Sequence, residues 1–323
     1  MGGATQKGEA EKPQLNQKNP GAYAGRVALA TLACTQTQAR GPSDFLTPGV
    51  GWPIGTSGNR CEHENQPAVI LRRMSDLWRA AAEASQRFSD QALDYHRYRP
   101  RYPEGVFEDI VRLANLSPDD KAIEIGAGTG IATQPLVECG LDVTAIEPAA
   151  ALAAVAESNL TGQARVVVGR FEDFSPDSSV KLLAAFNAWH WVEPGSAVDR
   201  AAQLLEPGGS LALVWTVVVS WGEEPFEERL AETFGSPWDK QFEHDVDGSM
   251  HPVRRDARFG EFQAHHHLFE RTLDAETFVA VTKTYGGDRK TEQYEAIERI
   301  INDDFGGSIT KVEDAVLYLA PRL

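Results

Sequence analysis

A glycine-rich nonapeptide lies between Glu124 and Ala132 of the 323-residue chain and reads Glu-Ile-Gly-Ala-Gly-Thr-Gly-Ile-Ala. It follows an apolar, strand-like run at residues 121–124 and continues into a helix-compatible segment at residues 129–138. Three glycines alternate with small residues, so the backbone can turn sharply there and come close to a ligand. A strand, a glycine-rich turn and a helix N-terminus in this order are typical of a nucleotide-type binding site at the carboxyl edge of a parallel sheet.

The spacing of the glycines indicates which kind of cofactor the turn would hold. A dinucleotide fingerprint requires a glycine three residues after Gly128, where this chain has Ile131. Instead an acidic residue, Glu124, stands two positions before the first glycine, and its charge would repel a pyrophosphate but attract a cation. S-adenosylmethionine (SAM) carries a sulfonium and an ammonium group and has no phosphate, so the pattern predicts a SAM site. We expect Gly126, Ala127 and Gly128 to line that site.

Four more strand-like runs follow the turn and alternate with helical patterns, at residues 141–146, 164–168, 180–186 and 211–219. A turn at residues 205–210 precedes the last of these runs. Such alternation predicts a doubly wound α/β sheet, a fold that binds its ligands at the carboxyl ends of the strands.

Candidate ligand residues stand at three of those strand ends. Glu147 could accept hydrogen bonds from both hydroxyls of a ribose, a role that it would equally fill in a NAD site. Phe171 and Glu172 follow the third strand of the series, where the ring would pack on an adenine and the acid would read the adenine edge. Asn187 follows the fourth strand and is either a cofactor ligand or only a turn residue.

Two further motifs give the chain a family resemblance. Phe88 is followed by Tyr-His-Arg-Tyr-Arg-Pro-Arg-Tyr-Pro at residues 95–103, and the fourth strand is followed by Ala-Trp-His-Trp at residues 188–191. Together with the glycine-rich turn, Glu147 and the turn Leu-Glu-Pro-Gly-Gly at residues 205–209, these motifs resemble the class I SAM-dependent methyltransferases. The branch that they resemble includes the trans-aconitate methyltransferase-like proteins, and the resemblance runs from about residue 86 to the end of the chain.

The resemblance implies a Rossmann-like fold with a helical lead-in and a helical cap. Its sheet would have seven mostly parallel strands in the order 3-2-1-4-5-7-6, with the seventh strand antiparallel. Sequence patterns place the sixth strand at residues 262–273 and the seventh at residues 315–323. The insertion at about residues 220–261, which carries an acidic amphipathic helix, would help to cover the acceptor pocket.

The resemblance also implies cofactor contacts in the lead-in, the segment that contains residues 95–103. Tyr95 and Arg99 would close over the methionine end of SAM, with Arg99 pairing with the cofactor carboxylate. The chain departs from the family at His96, where Asp is common, and at Arg170, where a small or acidic residue is common.

His190 is the candidate for a role on the acceptor side, as a base or as a hydrogen-bond donor, because it follows the fourth strand. Trp189, Trp191 and Trp215 would then wall the acceptor pocket. The alternatives are a structural histidine and tryptophans that belong to the core. Residues 265–267 are all histidine, but neighbouring side chains of a strand point to opposite faces and no acidic or cysteine partner stands at ligand spacing, so no metal site is predicted.

Composition and charge argue against several classes of binding partner. The net charge of −16 argues against a nucleic-acid substrate, because phosphate binding requires a basic surface. No apolar run reaches the length of a membrane span. Three cysteines provide neither a disulfide framework nor a metal cluster, and a cytoplasmic location is the expectation.

The first 73 residues differ from the rest of the chain. They are rich in Gln, Asn, Gly, Pro and Thr and show no sustained helical or strand period. We expect residues 1–73 to be disordered or a non-native extension, the alternative being a genuine targeting or regulatory tail. Residues 74–323, which start at Met74, would form the methyltransferase domain, with the core sheet in about residues 104–219 and 262–323.

The sequence therefore predicts a SAM-dependent methyltransferase that acts on a small molecule, with O-methylation of a carboxylate or hydroxyl preferred. N- or C-methylation of another metabolite is the alternative within the class. A NAD-dependent oxidoreductase and a non-catalytic SAM-binding regulatory subunit are the alternatives outside it. The absence of the third dinucleotide glycine argues against the oxidoreductase, and the retained lead-in and acceptor-side motifs argue against the idle subunit.

Overall fold

The computed structural model of the chain describes residues 91–221, 224–234, 246–285 and 290–323. The expectations for residues 1–73 and for a helix starting at Met74 lie outside these described residues.

The described residues form a single mixed sheet. Its strands are β1 (Lys121–Ile125), β2 (Asp142–Glu147), β3 (Arg165–Val168), β4 (Val180–Phe186), β5 (Leu205–Ser220), β6 (Gln263–Asp274) and β7 (Ser308–Pro321). Their order across the sheet is β3-β2-β1-β4-β5-β7-β6. Neighbours from β3 to β5 are parallel, whereas β7 is antiparallel to both β5 and β6. The predicted strand order and the predicted antiparallel seventh strand are confirmed.

Helices cover both faces of the sheet. They are α1 (Ala92–Tyr98), α2 (Glu104–Leu113), α3 (Thr133–Glu138), α4 (Ala150–Leu160), α5 (Pro194–Leu204), α6 (Glu224–Phe234), α7 (Val246–Arg254), α8 (Ala275–Thr284) and α9 (Thr291–Asp304). Two single turns of 3-10 helix lie at Phe171–Asp173 and Trp189–Trp191. Within the described ranges, no helix has the length and apolar character that crossing a lipid bilayer would need.

The alternation of side chains along buried strands builds a hydrophobic layer on each face. In β4, Leu183 and Ala185 pack into the layer that α5 and α7 cover. Leu182 and Ala184 point the other way, into the layer that α2 and α3 cover. Since both faces are buried, β4 is apolar at nearly every position, as expected for a parallel strand in the middle of a doubly wound sheet.

Two strands begin earlier than predicted. The Leu-Glu-Pro-Gly-Gly segment lies inside β5 as an irregularity, because Val180 pairs with Leu205 whereas Leu182 pairs with Ser210. The predicted turn at residues 205–210 is therefore a bulge within a strand. Strand β7 begins at Ser308 instead of residue 315. Its first part was not predicted as a strand because it carries buried charges in place of an apolar pattern.

Those charges form a buried ionic network on one face of β6 and β7. Glu313 is 1% exposed and accepts hydrogen bonds from Arg271 and from Lys311, whose Nζ lies 2.7 Å from a carboxylate oxygen. Lys311 is equally buried, and its ammonium also lies over the ring of Trp221. Burial alone would raise the pKa of Glu313, but the two cations outweigh this effect and hold the pKa below its ordinary value.

Replacing Lys311 with Met should therefore destabilise the chain. The substitution removes one partner of a buried ion pair and leaves Glu313 less compensated, at a cost on the order of 3 kcal/mol in the free energy of unfolding. Lys121→Met, at an exposed position on β1, is the matched control and should change stability by less than about 0.5 kcal/mol. Urea denaturation of the two variants measures both values, and equal values would show that the network contributes no stability.

Candidate functional site

The glycine-rich turn lies at the carboxyl end of β1, next to the end of β2. The amides of Gly126 and Ala127 both donate to the carbonyl of Ile146, at 2.9 and 3.0 Å. Gly126 has a φ of +68°, and a Cβ on it would lie 2.6 Å from the Cβ of Ala188. Gly128 also has a positive φ, +59°. The turn therefore requires glycine at these positions for its conformation, and at Gly126 also for space.

Glu147 fixes the turn from the end of β2. Its carboxylate accepts hydrogen bonds from the backbone amides of Gly128 and Ala149, both at 2.8 Å. Burial raises the pKa of Glu147, and these two hydrogen bonds partly offset the increase. Each carboxylate oxygen has a second acceptor site, so the predicted contact with a ribose is chemically compatible with this geometry and stays a prediction.

Glu124 lies beneath the turn and lines a cavity. It is 1% exposed, and the hydroxyl of Thr133 donates to its carboxylate. Burial raises the pKa of Glu124 to about 8, and the neighbouring Glu147 adds to the increase. A cation brought next to this carboxyl group would stabilise its charged form, so the group is suited to bind an ammonium.

The cavity lies between the glycine-rich turn and the lead-in and opens to solvent. Its lining comes from the lead-in, the turn and the end of β4: Tyr95, Arg99, Pro100, Tyr102, Glu124, Gly126, Ala127, Ile131, Ala132, Phe186 and Asn187. The structure thus brings together most of the residues predicted to bind the cofactor.

Arg99 is held between two aromatic rings at the edge of this cavity. Its guanidinium carbon lies 4.7 Å from the ring centre of Tyr95 and 4.0 Å from that of Tyr285. One terminal nitrogen donates to the carbonyl of Thr284 at 3.0 Å. Among the described residues its Nε is buried and has no hydrogen-bond partner. An unused charged donor at a cavity is suited to receive a carboxylate, as predicted for Arg99.

Asn187 is a fixed part of the cavity wall. It adopts a left-handed conformation with a φ of +51°, which asparagine tolerates better than most residues. Its amide nitrogen donates to the hydroxyl of Tyr102 at 2.9 Å, and its oxygen accepts from the amide of Thr216 at 2.9 Å. Tyr102 is a cavity residue that the sequence reasoning missed, although it belongs to the recognised lead-in motif.

The two residues predicted to bind adenine do not line the cavity. Phe171 is 3% exposed and packs in the core beside Trp189, with ring centres 6.4 Å apart. Glu172 accepts from the amide of Glu193 at 2.9 Å, where α5 starts, and from Arg170 at 3.2 Å. The single turn of 3-10 helix at this strand end directs the ring of Phe171 into the core. The carboxylate of Glu172 holds the backbone where α5 starts, so both residues have structural roles here.

The acceptor-side candidates also lie away from this cavity, as far as the described residues define it. Trp189 is 4% and Trp215 is 1% exposed, so both belong to the core, whereas Trp191 is 42% exposed. Thr216 contacts Asn187, and its neighbour Trp215 points to the opposite face of β5. The three tryptophans do not line this cavity, and their role as the walls of an acceptor pocket stays a prediction.

His190 is oriented by Trp215. The indole Nε1 donates to the Nδ1 of His190 at 3.3 Å. Since Nδ1 accepts this hydrogen bond, the proton of the neutral ring resides on Nε2, and His190 is arranged as a donor rather than as a base.

The histidine run on β6 has carboxylate partners that the sequence spacing did not reveal. His266 lies 2.7 Å from Asp314 of β7, and His267 lies 3.3 Å from Asp109 of α2. These acids come from distant segments, so spacing along the sequence could not reveal them. The described residues nevertheless hold no group of three or more potential ligands suited to a metal ion.

The strand order and the turn after β1 define a Rossmann-like α/β domain. Comparison with known proteins identifies its family. A family model described as "Methyltransferase domain" matches residues 123–213. An uncharacterised methyltransferase of Geobacillus kaustophilus is 30% identical over 155 residues, which cover 45% of this chain and 71% of that protein. The chain belongs to this methyltransferase family.

A second relative and a solved structure are also similar to the chain. An uncharacterised methyltransferase of Mycobacterium tuberculosis is 38% identical over 122 residues, 38% of this chain and 48% of the relative, so the chain spans about half the length of that protein. A solved structure from Anaeromyxobacter dehalogenans, provisionally described as a type II methyltransferase, shares the fold with a TM-score of 0.51 at 20% identity. That match covers 70% of this chain and 98% of the solved chain.

Glu124→Gln should stabilise the chain near neutral pH. The carboxyl pKa is about 8 in the folded chain against 4.5 ordinarily, so folding stability falls as the pH rises from 4.5 toward 8. The neutral amide escapes this loss, and the variant should gain up to roughly 3 kcal/mol at pH 7 over the wild type. The gain should disappear near pH 4.5. Urea denaturation at both pH values measures it.

The control for this substitution is Glu108→Gln, on the exposed side of α2. It should shift the free energy of unfolding by less than about 0.5 kcal/mol at either pH. A Glu124→Gln variant that is less stable than the wild type at pH 7 would contradict the raised pKa.

Proposed function

We propose that the protein transfers a methyl group from SAM to a small-molecule acceptor. One observation carries the proposal: the same cavity is lined by the buried carboxyl group of Glu124 and by the guanidinium of Arg99. A ligand that complements both must carry a cation and an anion close together, as the ammonium and carboxylate of the methionine end of SAM do. NAD has no such pair, and its pyrophosphate would face Glu124.

The chain's own residues would position the cofactor in a defined way. Glu124 would pair with the ammonium and Arg99, through its unused Nε, with the carboxylate. The absence of a side chain at Gly128 leaves room for the ligand beside Tyr95, and Glu147 would accept from the ribose. When bound, SAM supplies the activated methyl group. Tyr95 and α1 exclude water above the turn.

We prefer an oxygen acceptor, a carboxylate or a hydroxyl. A carboxylate needs no base because it is already ionised, which agrees with a His190 ring whose Nδ1 is occupied by Trp215. In this arrangement His190 would orient the acceptor by donating a hydrogen bond. Hydroxyl and amine acceptors would both need a group that removes a proton, so the neutral donor form of His190 favours the carboxylate among these acceptors.

Gly128→Val should abolish cofactor binding while the chain stays folded. A branched side chain at a φ of +59° is strained, and it would fill the space over which the cofactor approaches the turn. Calorimetric titration of the full chain with SAM, with its demethylated product and with NAD should show binding of the first two only. The variant should weaken SAM binding by at least about a hundredfold, which corresponds to losing roughly 3 kcal/mol of contacts.

The matched control is Gly162→Val, which has a comparably positive φ of +80° but no neighbouring atom within 4 Å. It incurs a similar backbone strain at a residue that does not line the cavity and should leave the affinity for SAM unchanged. Binding of NAD without SAM, or wild-type affinity in Gly128→Val, would contradict the proposed site.

His190→Ala should leave SAM affinity unchanged and lower turnover by about ten- to a hundredfold, the value of one hydrogen bond to a charged acceptor. Turnover is measured as release of the demethylated product of SAM in the presence of each of a panel of small carboxylic acids and phenols. Trp215→Phe keeps His190 but removes the donor to Nδ1, and it should lower turnover less. Unchanged turnover in His190→Ala would assign this histidine to the scaffold.

A further inference from the structure

Helix α1 is fastened to the glycine-rich turn at one polar contact. His96 of α1 places its Nδ1 3.0 Å from the hydroxyl of Thr129, a residue with no exposed surface in the middle of the turn. From the other side, Asn159 of α4 donates to the carbonyl of Thr129 at 3.1 Å. Thr129 is thus held between two helices.

The surroundings of the ring assign its protonation state. Arg101 places a terminal nitrogen 3.2 Å from the Nε2 of His96 and also donates to the His96 carbonyl at 3.1 Å. A guanidinium only donates hydrogen bonds, so Nε2 must accept. Nδ1 lies 3.0 Å from the Thr129 hydroxyl, which can donate or accept, and also 3.0 Å from the amide nitrogen of Asn159, which only donates. An imidazolium would direct N–H groups at donor nitrogens on both sides, Arg101 at Nε2 and Asn159 at Nδ1, so this arrangement favours the neutral ring.

The charged groups near His96 reinforce this requirement. Burial lowers the pKa of His96, and Arg101, the charge that acts on the ring in the part of the chain that the structure describes, lowers it further, against a smaller increase from the Thr129 backbone. Helix α4 presents the uncharged Asn159, while its one carboxylate, Glu157, is exposed to solvent. Helix α8 packs beside α1, and its Thr284 carbonyl accepts a hydrogen bond from Arg99, the residue that follows α1.

The fastened helix is also the cover of the cavity. Tyr95 precedes His96, lines the cavity and packs over Gly128, where a Cβ would lie 3.6 Å from the tyrosine ring. Movement of α1 away from Thr129 would therefore uncover the turn that we propose to bind the cofactor.

We propose that His96 is a positioning residue that fastens α1 to the glycine-rich turn only while its imidazole is neutral, so that mild acid loosens this cover and weakens SAM binding. The SAM part rests on the proposed function, whereas the movement of α1 does not. Because the closed form disfavours the protonated ring, the open form gains stability as the pH falls below the ordinary histidine range.

Hydrogen exchange of the α1 amides in the full chain without ligand tests the fastening directly. Tyr95 and Arg99 donate backbone hydrogen bonds of 2.7 and 3.1 Å whose opening it reports. After correction for intrinsic exchange rates, protection should fall by up to about tenfold per pH unit between about pH 6.5 and pH 5.5, the limit for one linked proton. His96→Gln can accept from Arg101 and donate to Thr129 at any pH, so its protection should not change with pH.

Two further variants keep the test decisive. His251→Gln removes an exposed histidine on α7 and should retain the wild-type pH profile. Arg101→Gln, at an exposed position, removes a charge that opposes protonation in the closed form, so acid should reduce protection less than in the wild type, even if His96→Gln does not fold. A wild-type profile that matches that of His96→Gln, or is unchanged by Arg101→Gln, would overturn the proposal.

Calorimetry with SAM over the same pH range separates the two proposals. We expect the affinity of the wild type to fall with acid by up to about tenfold per pH unit more than that of His96→Gln. If SAM fails to bind at any pH but α1 protection depends on His96 and pH, the proposed function is wrong and the fastening stands. If SAM binds but α1 protection is independent of pH, the fastening is wrong and the function stands.

Discussion

The hydrogen bonds from Gly128 and Ala149 to the carboxylate of Glu147 join the turn after β1 to the start of α4. Burying a carboxylate is costly unless its oxygens receive hydrogen bonds, so the backbone on both sides must be held in place to supply them. The left-handed conformation of Gly128 directs its amide toward Glu147, and the cavity opens beneath this fixed turn. The sheet positions the site because parallel strands bring their carboxyl ends to one edge.

The parts of the site that lie at strand ends followed from the sequence. Glu124 and Glu147 end or follow apolar runs whose length and alternation indicated parallel strands, so their meeting at one edge could be predicted. The positions of Tyr95 and Arg99 over that edge depended on the family resemblance, since no local pattern directs a lead-in helix toward a turn about thirty residues further along the chain. The strand order likewise came from the resemblance, because periodicity identifies strands without their neighbours.

Other positions depend on geometry that a linear pattern does not contain. The inward rotation of Phe171 is set by one turn of 3-10 helix, and the separation of Trp215 from Asn187 is set by the alternation of neighbours on β5. The early start of β7 was hidden because Lys311 and Glu313 compensate each other in the core, where a hydropathy pattern expects apolar residues. In each case a partner distant in sequence decides the placement.

The contact between Arg99 and the carbonyl of Thr284 joins residues that are 185 positions apart. Closing a chain segment of that length costs about 5 kcal/mol in entropy, so this contact forms only after the sheet between the two ends has assembled. During synthesis from the N-terminus, the glycine-rich turn therefore exists well before α8 is available to complete its surroundings. In such an order of assembly the site would be completed when α8 packs beside Arg99, and a ligand present at that stage would favour the finished fold over its precursors.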